Sequence, residues 1–175
     1  MLTILMLAPI LLPALAALGY QLAGWRSDRW STAWLAAGTS ALVLVAAGTA
    51  AATVARTGEH VALAGLLRLD AVSAFMLVVI GAVALIATAA TPAHFRAEIE
   101  AGRATARTAS RHSVLVALFL AAMALAVLAA NLGVLWVAIE ATTIVTAFLV
   151  GQRRTRTAVE AAWKYVVICS AGIAL

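Results

Sequence analysis

The chain has 175 residues, of which 65% are hydrophobic and 11% charged; its mean hydropathy is +1.07. A chain of this size and apolarity does not stay dissolved as a globule, which leaves an integral membrane helical protein. The formal charge of +5 does not point to nucleic acid, because its basic residues stand in short runs between apolar segments, where Lys and Arg set membrane orientation.

In chain order, uncharged apolar runs predict five complete membrane spans and an incomplete sixth. They cover residues 2–23, 31–55, 71–91, 113–130, 132–151 and 158–175 and form a single membrane domain, residues 1–175. A hydrocarbon core of about 30 Å takes roughly 20 helical residues. The fold class is therefore all-α, a polytopic transmembrane bundle. The first run, with Pro9 and Pro13, has no basic segment ahead of it and no clean cleavage site, so it is read as a retained span and not as a signal peptide. Trp25, Trp30 and Trp34 bracket the first loop as interface anchors.

The loops differ in charge. The first holds Arg26 and Arg29, the third Arg96, Arg103, Arg107 and Arg111, and the fifth Arg153, Arg154 and Arg156; the second holds Arg56 and Arg68, and the fourth none. The odd loops are expected on the cytoplasmic side, which puts the N-terminus outside a multi-pass protein of the cell inner (plasma) membrane.

Residues 58–70 are too short to span. Apolar residues around Gly65 predict a small hairpin or re-entrant turn at the outer face, with Asp70 capping the third span and Glu59 and His60 solvated. The 91–112 loop is read as a solvated, positive-inside loop in preference to a short amphipathic surface helix, with Glu100 at best weakly paired to Arg103 and Arg107. Cys169, the single cysteine, is read as packing; it allows neither a disulfide framework nor a Cys-rich metal site.

Two ionisable residues fall inside apolar helices. Glu140 interrupts the run from Asn131 to Gln152, with eight residues separating it from Asn131. A charge at that depth costs from about 2.5 to above 10 kcal/mol, so such residues face a protein interior or a water path and have partners. A buried carboxylate keeps its proton, a nearby cation favours its release, and moving or hydrating that cation makes a proton relay. The bland alternative is a structural hydrogen bond to Thr142, Thr143 or a neighbouring helix. Lys164 lies about two turns into the sixth span; it either snorkels to the interface or joins the relay, and Glu160, four residues earlier, is placed to pair with it. No HExxH, GxxxxGK or GxGxxG motif is present, and no Ser, His and Asp set is placed to converge.

The stretch NLGVLWVAIEATTIVTAFLVG, a basic loop, and AVEAAWKYVVICSAGIAL together resemble the antiporter-like membrane subunits of respiratory complex I and its relatives, most of all the hydrogenase-4 component F branch. LLRLDAVSAFMLVVI resembles the family's entry into its third helix. The resemblance implies the N-terminal part of a fold of about fourteen helices, with Glu140 as the fifth-helix glutamate of the proton channel and Lys164 as the sixth-helix lysine beside it. It implies a proton-translocating, non-catalytic subunit of a hydrogenase-4 or NADH-quinone oxidoreductase-like complex, moving protons or sodium beside other membrane and redox subunits. No cofactor and no metal is expected in this chain; flavin, iron–sulfur and nickel–iron centres fall to the partners. A Mrp-type cation/proton antiporter subunit is the alternative within the family, and a purely structural membrane subunit the alternative outside it. The family's further lysine on helix seven has no counterpart among these residues, so a fragment or truncated gene, unable alone to complete translocation, is expected.

Overall fold

The computed structural model describes residues 2–26, 31–153 and 155–174, with the side chains of 2, 23–26, 31–33 and 174 outside the described set. The anchoring roles expected of Trp25 and Trp30, and the charges of Arg26, Arg29 and Arg154, therefore lie outside the described residues. Among the described residues six α-helices follow one another: α1 (Leu2–Arg26), α2 (Ser31–Thr57), α3 (Ala71–Glu100), α4 (Ala106–Leu128), α5 (Leu132–Val150) and α6 (Arg156–Ala174). Among the described residues, five of them, α1 to α5, are long and apolar enough to cross a membrane. In lipid, every backbone polar group must be satisfied within the segment, and helices do this. Three buried hydroxyls obey the same rule: Thr88, Ser113 and Thr143 each donate to the carbonyl four residues back.

Helices α1 to α4 pack around a core of Met6, Ala47, Ala50, Leu77, Ala124 and Leu128. Small side chains dominate, because association in a bilayer depends on close backbone approach. At the tightest point an added Cβ on Gly81 of α3 would lie 2.9 Å from the Cα of Leu44 on α2. Helix α5 packs on α4, and α6 chiefly on α5.

The α2–α3 connection is the expected hairpin. Strand β1 (His60–Ala62) pairs antiparallel with β2 (Leu67–Leu69), placing His60 opposite Leu69. Leu67 and Leu69 are buried in the core, so the hairpin plugs one end of the bundle. Leu67 also bridges to Ala129, and the Ala130 N–H donates to the Leu66 carbonyl. The Nε2 of His60 lies 2.7 Å from the Thr57 hydroxyl, in an exposed hydrogen bond.

Asp70 caps α3 as expected, accepting from the Ser73 N–H at 2.8 Å, and Arg68 sits 3.4 Å away. The Ser73 N–H, with help from the Arg68 charge, holds the Asp70 carboxyl below its ordinary range. A lowered folded-state value means the stabilisation is present above the unfolded carboxyl range, near 3.9, and is lost as pH falls through the folded value. Asp70→Ala is expected to cost about 1 kcal/mol at neutral pH, whereas Asp70→Asn keeps most of the cap and removes its acid sensitivity. Thermal melts of the three proteins at pH 7 and pH 3 check this.

At the opposite end the structure departs from expectation. The loop expected over 91–112 is mostly helical: α3 runs on through Pro92 to Glu100 and α4 begins at Ala106. Pro92 removes one backbone bond, a loss that transmembrane helices tolerate where neighbours pack closely, and it is buried. The Arg96–Glu100 pair at 3.2 Å supports the last turns. Gly102, at φ +69, ends the helix, its N–H bonding the Ile99 carbonyl. Glu100 thus takes Arg96 in place of Arg103 or Arg107. Glu98 takes Arg103 at 3.1 Å and Arg153 at 3.6 Å, tying the third and fifth loops together. Glu98→Gln should lower the melting temperature at low salt, and the difference should collapse near 1 M salt, where the screening length is about 3 Å. A melt unaffected at low salt would show that the tie is ornamental.

Candidate functional site

Asn131 starts α5, its side chain accepting from the Gly133 N–H at 2.8 Å. That cap fixes the depth of everything after it. Glu140 lies near the middle of α5 and is half-buried. Its Oε2 accepts a hydrogen bond from the Ser170 hydroxyl of α6 at 3.3 Å. Thr142 and Thr143, two of its expected partners, instead donate to the Ile139 carbonyl of their own helix.

Lys164 is placed elsewhere. Its ammonium donates to Glu160 Oε1 at 2.5 Å, the one-turn pair that the spacing anticipates. Both side chains are about half exposed. Helices α5 and α6 run antiparallel from a short connection in which Gly151 faces the Cβ of Ala162. Equal steps back from that contact bring α5 to Glu140 and α6 to within a turn of Ser170. Lys164 then stands roughly 10 Å from Glu140 in depth. Among the described residues Glu140 makes no ion pair.

Sequence reasoning missed Ser170. A single serine in an apolar helix carries little signal, but the short α5–α6 connection fixes the register, and counting back from it finds the residue opposite Glu140. Near the Arg153 end, His112 Nδ1 of α4 lies 3.3 Å from Gln152 Oε1. Among the described residues no group of three or more His, Cys, Asp or Glu is placed to hold a metal ion.

Fold and site together define a polytopic membrane helix bundle with a single carboxylate within the apolar length of its fifth helix. No family model matches the chain. Over 64 residues the chain is 45% identical to the hydrogenase-4 component F homolog of Methylacidiphilum infernorum (isolate V4). The match takes in 37% of this chain and 13% of that protein, so it covers a small part of the relative's length.

Proposed function

We propose that the chain is a proton-translocating membrane subunit of a hydrogenase-4 or NADH-quinone oxidoreductase-like complex. Glu140 is the group that takes up and releases the proton, and Lys164 is the cation that biases it. The observation that carries this reading is a carboxylate near the middle of an apolar span whose hydrogen-bond partner among the described residues is a neutral hydroxyl. A carboxylate so placed is free to exchange its proton without breaking an ion pair. The identity to a hydrogenase-4 component F homolog supports the kind of complex. Redox centres belong, in this reading, to partner subunits, and the chain works in the inner membrane.

Lys164 acts on Glu140 through the field and not through contact. The depth offset alone sets a separation of at least about 10 Å, at which, with an effective dielectric near 20, two unit charges interact by no more than about 1.7 kcal/mol. Glu160 opposes part of that, so the coupling grows when the Glu160–Lys164 pair opens.

A second reading is favoured by one observation. The Ser170–Glu140 bond joins α5 to α6, which is what interhelical glue would do. Glu140→Gln separates the two, because the amide still accepts from Ser170 but cannot titrate. Proton movement per turnover of the assembled complex is the quantity to measure.

A further inference from the structure

We propose that the trough between the start of α2 and the end of α3 binds a phospholipid of the phosphatidylethanolamine type, with Arg96 taking its phosphate and Glu100 its primary ammonium. Helix α3 has 30 residues, which is about 45 Å of helix against a hydrocarbon core of about 30 Å. Its last turns therefore stand in the headgroup layer. There Ala89, Ala93 and Ala97 recur every four residues, and Arg96 and Glu100 fall on the same face. The methyl side chains leave a trough along α3, and Trp34 of α2 forms the facing wall. The space enclosed is about 760 Å³, within the range of about 300–1,000 Å³ that small-molecule sites occupy. Trp34 is exposed, which suits a ring that sits at headgroup level with one polar edge.

The charges at the rim decide the occupant. Among the described residues that line the trough, Arg96 and Glu100 carry the charge. They lie 3.2 Å apart and are largely exposed. An exposed pair of this kind contributes little to stability, so trading it for another partner costs little. A guanidinium matches a phosphate with two parallel hydrogen bonds, and a carboxylate accepts from the three N–H groups of a primary ammonium. A headgroup that carries both leaves the site neutral. An anionic glycerol headgroup would set an uncompensated charge beside Glu100, and a quaternary ammonium has no N–H to give it. Glu98, close by in sequence, is held by Arg103 and Arg153 and does not compete. The lipid's glycerol rests against Ala89 and Ala93, and its acyl chains run on into the bilayer.

The test uses the purified full chain in nanodiscs of equal parts phosphatidylethanolamine, phosphatidylcholine and phosphatidylglycerol with identical acyl chains. Native mass spectra of the released protein count the lipid it retains. The wild-type chain should retain one phosphatidylethanolamine at least fivefold more often than either other lipid. Glu100→Gln should abolish that preference and bring phosphatidylglycerol to parity or above, because the phosphate site remains while the ammonium site is lost. Arg96→Ala should lower retention of all three severalfold. Ala93→Leu fills the trough from an exposed position, so it should remove the retained lipid whatever its headgroup and melt with wild type. Should it fold poorly, Glu100→Gln decides alone. Equal retention of the three lipids by wild type, or a preference for phosphatidylglycerol, overturns the proposal. A phosphatidylethanolamine preference that survives Glu100→Gln and Arg96→Ala also overturns it, since the lipid then sits elsewhere.

Discussion

Gly81→Leu should separate α2 from α3 and abolish cooperative unfolding of the bundle. Even the first carbon of a side chain at this position meets backbone: a Cβ would lie 2.9 Å from the Leu44 Cα and 3.2 Å from its Cβ. A flexible side chain could swing aside, but a Cα cannot move unless its helix does. Overpacking of this kind costs about 1–3 kcal/mol for small additions. Alanine gains back as much as about 1 kcal/mol in helix propensity over glycine, so Gly81→Ala should come out net destabilising by roughly 1–2 kcal/mol, with leucine well beyond it. Gly48 supplies the control. It lies in α2, nothing stands within 4 Å of where its Cβ would be, and Gly48→Ala should be neutral or stabilising. Thermal unfolding in detergent ranks the four proteins. If Gly81→Ala melts with or above wild type, the close approach of α2 and α3 is not a feature of the folded chain.

That contact shows what the sequence left hidden. Uncharged runs and their Arg-rich ends made the helices and the polytopic class legible, because hydropathy over some 20 residues reports span length directly. The same uniform apolarity conceals which face packs. Ala47, Ala50 and Ala124 are core, while Ile4, Ile86 and Ile168 are exposed, and a helix apolar all round has no moment to tell one side from the other. Local chemistry was more readable. Asp70 three residues before Ser73, and Glu160 four before Lys164, are short-range patterns whose geometry follows from the helix itself. The α3 extension to Glu100 was obscured because Pro92 and the charges after it read as an ending, although a helix leaving the bilayer meets water and no longer needs to be apolar.

At the candidate site the split is the same. Glu140 was visible as a charge where none belongs, but its partner was sought among cations, and Lys164 was the one that falls inside an apolar helix. The bundle places a neutral hydroxyl there instead.

Glu140→Gln should remove proton translocation from the assembled complex while leaving assembly intact. Glutamine matches glutamate in shape and still accepts from Ser170, so the loss of packing is small and folding stability should change by less than about 1 kcal/mol. The amide has no proton to exchange near neutral pH, so protons moved per turnover should fall at least tenfold, with electron transfer by the redox partners persisting or slowing according to how tightly the two are coupled. Glu140→Ala is the informative contrast: it loses both the charge and the Ser170 bond, so it should fail in translocation and in addition loosen α6 from α5, seen as faster proteolysis between them. Lys164→Met should give an intermediate result, a severalfold loss of translocation with normal assembly, because a field effect of about 1.7 kcal/mol or less is removed while the proton-binding group remains. A silent Lys164→Met would assign that lysine to snorkelling. Translocation that survives Glu140→Gln unchanged would sink the carrier role, and poor assembly with unchanged translocation per complex would leave Glu140 as the hydrogen-bonded joint between α5 and α6.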